Sequence, residues 1–283
     1  MHSAAGSVHY FLDGIPPSAV YLIMRAVRHG KGAVLYMPKK IDVRGVEFDD
    51  VTLDEVTDLL ISRVHDGVQT AVFTPNSEIV QMCVDDPSMY DVIRRADVTL
   101  PDGIGVIKAS RILGTPLRER VPGFDTGERL IARSGSENMR IFFLGGKPGI
   151  AEAAAARMTE KYPDAIFAGC HDGYFKKTGE ESDEVVRLVN ESGANVLFVC
   201  LGAPAQEIWI NENREKLPNV MLLMGLGGSL DGYSGNVKRA PDFFIRHNLE
   251  WFYRLACQPS RIGRMMKLPK FYFGTWRCKL RRK

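Results

Sequence analysis

The 283-residue chain is 45% hydrophobic and 25% charged, with 27 glycines and 15 prolines; this is the composition of a globular protein long enough for a substantial core. No stretch approaches the roughly 18 consecutive apolar residues of a spanning helix, and residues 1–30 lack the basic-then-apolar order of a secretory leader. Five cysteines without a CxxC pair and six scattered histidines argue against a disulfide framework or a zinc site, and for inert thiols in a reducing cytosol.

The net charge of +3 hides a polarity along the chain. Residues 238–283 hold 13 Lys and Arg against two Asp and Glu, a net of +11; the remainder holds 24 basic and 32 acidic residues, a net of −8. An acidic body with a basic tail implies two different surroundings.

Residues 1–40 contain Pro16-Pro17, glycines and a short apolar run, and read as an N-terminal extension. Thr52-Leu-Asp-Glu55 is a capping box that opens an amphipathic helix to about residue 64. Strands are predicted at 70–74, 97–100, 140–144, 165–170, 195–201 and 220–225, with helices at 77–84, 106–113, 149–161, 183–192 and 204–216. Strands of continuous hydrophobicity, each followed by a helix, predict a Rossmann-like α/β fold: an open, mostly parallel sheet covered on both faces. Residues 41–237 form this predicted core, and residues 238–283 a basic helical appendage.

Ligands of such folds sit beyond the carboxyl ends of the strands, so the strand-to-helix turns carry the functional information. The first turn is Thr74-Pro-Asn76, where Asn76 is either a helix N-cap or a ligand to sugar hydroxyls. The second, Pro101-Asp-Gly-Ile-Gly105, holds Asp102 between proline and Gly103; it suits a general base or an N-cap. Gly145-Gly146-Lys-Pro-Gly149 could offer bare N–H groups to a phosphate, or be a tight turn that simply needs glycine. Gln206, in Gly202-Ala-Pro-Ala-Gln206-Glu207, is a donor-site candidate or a plain surface residue. Gly225-Leu-Gly227-Gly-Ser-Leu-Asp231 adds Gly227 and Asp231 to the substrate-binding candidates. Arg118 and Arg120 are solvated charges or stabilisers of an anionic leaving group. GxGxxG, Walker A, Gly-x-Ser-x-Gly and Asp-x-Asp patterns are all absent.

The tail holds nine of the 26 aromatic residues, including two of the three tryptophans. Ile245, Leu249 and Phe252 follow helical spacing beside Arg246 and Arg254. Aromatics with Lys and Arg on one helix suit an anionic membrane interface. Burial of the stripe in the core and binding of nucleic acid are the competing readings. The acidic body and the lack of a nucleic-acid motif disfavour the second.

In order along the chain, Thr74-Pro-Asn76, Leu100-Pro-Asp-Gly-Ile-Gly-Val106, Arg120-Val-Pro-Gly-Phe-Asp125, Gly202-Ala-Pro-Ala-Gln-Glu207 and Arg239-Ala-Pro241 with Leu249-Glu-Trp-Phe-Tyr-Arg254 resemble the WecG/TagA/CpsF glycosyltransferases. The likeness runs from about residue 41 to 269. Each motif is weak alone; the ordered set is specific. Ala205 stands where the family usually has lysine.

The resemblance implies an inverting, metal-independent, cofactor-free hexosyltransferase. Its donor would be a UDP-sugar, with N-acetylmannosamine first and another hexose behind it. Its acceptor would be a sugar linked to undecaprenyl diphosphate, in teichoic-acid or other surface-polysaccharide assembly. The protein would work peripherally at the cytoplasmic face of the plasma membrane, with no nucleic-acid partner and with homo-oligomerisation open. Asp102 would be the catalytic base, Thr74 and Asn76 would line the sugar pocket, Arg120 would face the diphosphate and Gln206 the donor. Arg239, Arg246, Trp251, Arg254 and Arg261 would meet membrane or acceptor. Two other classes stay open: a nucleotide-cofactor oxidoreductase, and a non-catalytic membrane- or nucleic-acid-binding module.

Overall fold

A computed structural model describes residues 38–237, 241, 243–244 and 267–281. The extension up to residue 37 lies outside the described residues, as do Arg239, Arg246, Trp251, Arg254 and Arg261.

The first described element is a hairpin that the sequence reading left unassigned. Strands β1 (Lys40–Val43) and β2 (Val46–Asp49) pair antiparallel around Arg44-Gly45. Ile41, Val43, Val46 and Phe48 alternate with polar neighbours and are buried. Arg44 and Gly45 both have positive φ, +58° and +90°. An arginine in a left-handed turn position is an uncommon signal, and its strain is offset by tertiary bonds. The Arg44 guanidinium donates to Gln81 Oε1 at 2.7 Å and to the Phe271 carbonyl at 3.1 Å, while its own carbonyl accepts from Tyr90 Oη.

The capping box is formed as the spacing predicts. Thr52 Oγ1 accepts from the Glu55 N–H and the Glu55 carboxylate accepts from the Thr52 N–H, opening α1 (Leu53–His65). Six parallel strands follow, β3 (Thr70–Phe73), β4 (Val98–Thr99), β5 (Arg140–Gly145), β6 (Ile166–His171), β7 (Val196–Cys200) and β8 (Leu222–Gly225), in spatial order β4-β3-β8-β7-β5-β6. Each predicted strand overlaps one of these.

Alternation along the buried strands divides the core between two faces. Ala71, Phe73, Leu197, Val199 and Leu223 point to one face. There they meet α2 (Ser77–Asp85), α3 (Ser88–Arg94), α4 (Ile104–Leu113), α7 (Glu180–Glu191) and α8 (Ala205–Asn213). Val72, Val196, Phe198, Leu222 and Met224 point to the other, against α1, α5 (Gly123–Arg133), α6 (Ile150–Lys161) and α9 (Ser229–Tyr233). The fold is therefore α/β, with a parallel sheet between two helical layers.

Three of these helices, α3, α5 and α9, were not anticipated. Helix α5 is the instructive one, because it starts at Gly123 and contains Gly127, and glycine is a poor helix former. Both stand where α5 packs directly on neighbouring side chains. A Cβ on Gly123 would come within 2.9 Å of Thr74 Cγ2, and one on Gly127 within 2.6 Å of Tyr233 Oη.

The last described element, α10 (Lys267–Arg281), lies against α2 and α4. Phe271 is fully buried in the core and stacks under the Arg44 guanidinium. Lys270 Nζ donates to Asp85 at 2.7 Å. The opposite face leaves Phe273 74%, Trp276 52% and Leu280 70% exposed. The aromatic tail is thus divided here: part of it is core, and part faces outward beside Arg277 and Arg281.

Candidate active site

Turns after five of the six parallel strands meet at one edge of the sheet, and their residues are assembled by direct bonds. Asn76 caps α2: its Oδ1 accepts from the N–H groups of Glu78 at 2.9 Å and Ile79 at 3.2 Å. Its amide nitrogen is not part of that cap. Thr74 is buried, and its hydroxyl donates to the Gly225 carbonyl at 3.1 Å, linking the end of β3 to the end of β8.

Asp102 is not the cap of the helix that follows it. Gly103, with φ +92°, holds the N-cap position of α4 without a side-chain bond. The Asp102 carboxylate turns instead to α5, where Oδ2 accepts from the Gly123 N–H at 3.4 Å. A carboxylate at a helix N-terminus is stabilised by the helix dipole and by the unpaired amides there. The left-handed φ of Gly103 favours glycine there, and its position lies in contact range of Asn76 Cβ. Thr74, Asn76, Asp102, Gly103 and Gly123 thus converge on one corner.

Arg120 reaches the same corner through its neighbours. Val121 donates its N–H to the Pro101 carbonyl at 3.1 Å, so Arg120 and Asp102 flank a backbone bond between their segments. Upstream, Leu117 is buried and donates to Ser110 Oγ. Arg118 is not a free surface charge: its N–H donates to Asp50 Oδ1 and its guanidinium grips the Glu55 carboxylate at 3.0 and 2.6 Å. The segment carrying Arg120 is therefore pinned on both sides.

The glycine turn after β5 is shaped first by packing. A Cβ on Gly145 would collide with the Cys200 carbonyl, so this position requires glycine for strand contact alone. Gly146 donates its N–H to the Cys200 carbonyl at 3.3 Å, and Ile150 donates to the Lys147 carbonyl at 3.0 Å. One amide of the turn and the first amide of the helix that follows it are therefore engaged by the protein itself. Gly149, with φ +82°, is the N-cap of α6, and Pro148 precedes the helix rather than entering its first turn.

Gln206 is a buried residue, 2% exposed, and not a surface one. Its Oε1 accepts from the Gly227 N–H at 2.8 Å, and its Nε2 donates to Glu207 at 2.9 Å. Gly227 adopts φ +55°, and Asp231 lies half-buried in α9. Glu207 was not singled out from sequence. It is 1% exposed, and burial pushes its carboxyl above the usual range. Nor did the sequence indicate that the C-terminal helix reaches the site: Tyr272 Oη lies 3.7 Å from where a Cβ on Gly105 would stand, in the first turn of α4.

Among the described residues no cluster of three His, Cys, Asp or Glu side chains could hold a metal ion. Burial raises the Cys83 thiol to about 11 and the Cys200 thiol to about 12, far from nucleophilic use at neutral pH. No described helix is long and apolar enough to cross a membrane.

A Rossmann-like sheet with a carboxylate, an arginine and polar turn residues on the segments at its carboxyl edge places the candidate site where α/β proteins of this class bind their ligands. The particular family follows from comparison: the model of the Glycosyl transferase WecG/TagA/CpsF family matches residues 41–283. The chain belongs to that family. It is 39% identical over 200 residues to the N-acetylglucosaminyldiphosphoundecaprenol N-acetyl-beta-D-mannosaminyltransferase of Bacillus spizizenii, covering 71% of this chain and 76% of the relative. The protein of the same name in Bacillus subtilis is 36% identical over 204 residues, 72% and 78% of the two chains. That of Staphylococcus aureus is 31% identical over 242 residues, 85% and 93%.

Proposed function

We propose that this glycosyltransferase moves N-acetylmannosamine, or a closely related hexose, from a UDP-sugar to a sugar carried on undecaprenyl diphosphate, with inversion and without a metal ion. The relatives' names supply the acceptor class and the first choice of sugar. One observation carries the mechanism: Asp102 caps no helix of its own and sits, glycine-flanked, at a corner shared with Thr74, Asn76 and the start of α5.

The acceptor hydroxyl oxygen bonds to the anomeric carbon as the carbon–oxygen bond to UDP breaks. The hydroxyl proton passes to Asp102, and the electron pair leaves with UDP. Arg120 and the amides at helix N-termini meet the charge that develops on the diphosphate, an electrostatic role whose removal typically costs ~10²–10³ in rate. Metal independence is supported by residue chemistry: the sequence has no Asp-x-Asp, and Arg120 stands on the segment that is bonded to the one carrying Asp102.

Residues 238–283 then serve as the membrane-associating appendage, bringing the enzyme to the inner leaflet where its lipid-linked acceptor resides. The exposed Phe273, Trp276 and Leu280 beside basic residues support that role. Incubation with a panel of UDP-sugars and a short-chain lipid-diphosphate N-acetylglucosamine acceptor tests the assignment. Transfer of N-acetylmannosamine is expected to dominate, and absence of transfer from every UDP-sugar would overturn it.

A further inference from the structure

Glu207 is a buried acid that the mechanism does not use. It lies in the first turn of α8, 1% exposed, with Oε1 accepting from Gln206 Nε2 at 2.9 Å. Its Oε2 is buried and has no hydrogen-bond partner among the described residues. Burying a carboxyl so incompletely satisfied is unfavourable in itself, so its presence calls for a compensating role.

The bonds around Gln206 indicate that role. A side-chain amide can present oxygen or nitrogen in either of two orientations. The Gly227 N–H can only donate, so it draws Gln206 Oε1 toward the turn after β8. With Oε1 held by that N–H, Nε2 faces the other way and donates to Glu207 Oε1. The amide also lies flat on Gly225, where a Cβ would come within 2.9 Å of Nε2. That same Gly225 presents its carbonyl to the Thr74 hydroxyl at 3.1 Å. One buried acid thereby fixes an amide that organises the ends of β3, β7 and β8 together.

We propose that Glu207 is a positioning residue: it locks the Gln206 side-chain amide, and through it the Gly225–Gly227 turn and Thr74, in the arrangement that takes the donor nucleotide. The proposal rests on the reading of Gln206 as part of the donor site. It makes a separable claim, because Glu207 acts only through Gln206 and not by supporting the fold. An apolar side chain of similar length leaves the core filled while releasing the amide.

The test compares Glu207→Met, Glu207→Gln and Gln206→Ala in the full-length protein, using UDP for calorimetric affinity and UDP-N-acetylmannosamine for kinetics. Glu207→Met is expected to keep the melting temperature near the parent value, because loss of a desolvated carboxyl offsets the loss of the Nε2 acceptor, while weakening UDP binding and raising donor KM about ten-fold. Its kcat at saturating donor should fall far less. Glu207→Gln restores an acceptor oxygen and should return affinity to within about three-fold of the parent. A Glu207→Met protein that binds UDP normally while Gln206→Ala does not would overturn the positioning role and leave the donor-site reading standing. Normal UDP affinity in Gln206→Ala would overturn that reading and this proposal together. If Glu207→Met fails to fold, Glu207→Gln decides: a melting temperature that drops in step with affinity makes Glu207 a structural group and ends the proposal.

Discussion

At the amino end of the parallel sheet, polar side chains close the backbone; at the carboxyl end, glycines leave it approachable. Gln69 Nε2, before β3, donates to the carbonyls of Arg214, Leu217 and Val220 at 2.9, 3.0 and 3.1 Å. Asp97, before β4, accepts from the Ala71 N–H and from Arg214, each at 2.8 Å. Asn195 Oδ1, before β7, accepts from the Arg140 N–H at 2.7 Å, and Ser134 Oγ accepts from the Ile166 N–H that starts β6. These side chains satisfy strand amides that water would otherwise have to reach. At the other end Gly103 and Gly227 carry positive φ and no side chain, and the acids there are not committed to strand starts. The difference is that of a scaffold whose strand starts are bonded shut at one edge and whose proposed chemistry lies at the other.

The comparison is broken most severely at the carboxyl end. Asp102→Asn should lower transfer by ~10²–10⁴ while leaving UDP affinity and melting temperature near the parent values, because the amide cannot take the acceptor proton. Transfer rate and UDP calorimetry on the same preparation check it, and activity within about five-fold of the parent would remove Asp102 from the role of base. The complementary change at the amino end is Asp97→Ala. It strips the Ala71 N–H and Arg214 of their acceptor and should cost about 1–3 kcal/mol of stability. Activity per folded molecule should not change. Urea midpoints beside kcat/KM distinguish the two ends, and a rate loss without a stability loss would dissolve the contrast.

A smaller effect should come from the face that would carry the carboxyl end to its acceptor. Replacing Phe273 and Trp276 together by serine removes two exposed rings and should weaken binding to anionic vesicles about ten-fold, with the melting temperature preserved. Co-sedimentation at low and high salt measures this. Unchanged pelleting of the double variant would place the membrane contact elsewhere. The smallest expected effect is none at all: the proposed mechanism assigns the diphosphate to Arg120 and helix amides, so EDTA should leave transfer intact. A strict Mn²⁺ or Mg²⁺ requirement in the assay would refute that.

The parallel sheet, the family and the capped α1 were legible in sequence because each rests on local pattern: continuous apolar strands, ordered turn motifs, and Thr52 three residues before Glu55. The glycine-flanked place of Asp102 was legible for the same reason. Its partner was not, since whether a carboxylate caps its own helix or turns to Gly123, 21 residues on, depends on where α5 packs. Glu207 and Tyr272 illustrate the same limit. An acid beside a glutamine reads as helix surface until the packing of α8 buries it, and a tail tyrosine reads as membrane-facing until α10 docks on α4. Helix α5 and the Arg44-Gly45 hairpin were obscured because their residues are chosen for tertiary contact: close approach of Gly123 and Gly127 to Thr74 and Tyr233, and a guanidinium that bridges Gln81 and Phe271. The sequence by itself determined the six parallel strands, the capped α1 and which turns are candidates for chemistry, since hydrophobic period and turn composition act within a few residues. Only the tertiary structure decided which buried polar groups pair and which tail residues are core, because burial and hydrogen-bond partnership are set by segments far apart in the chain.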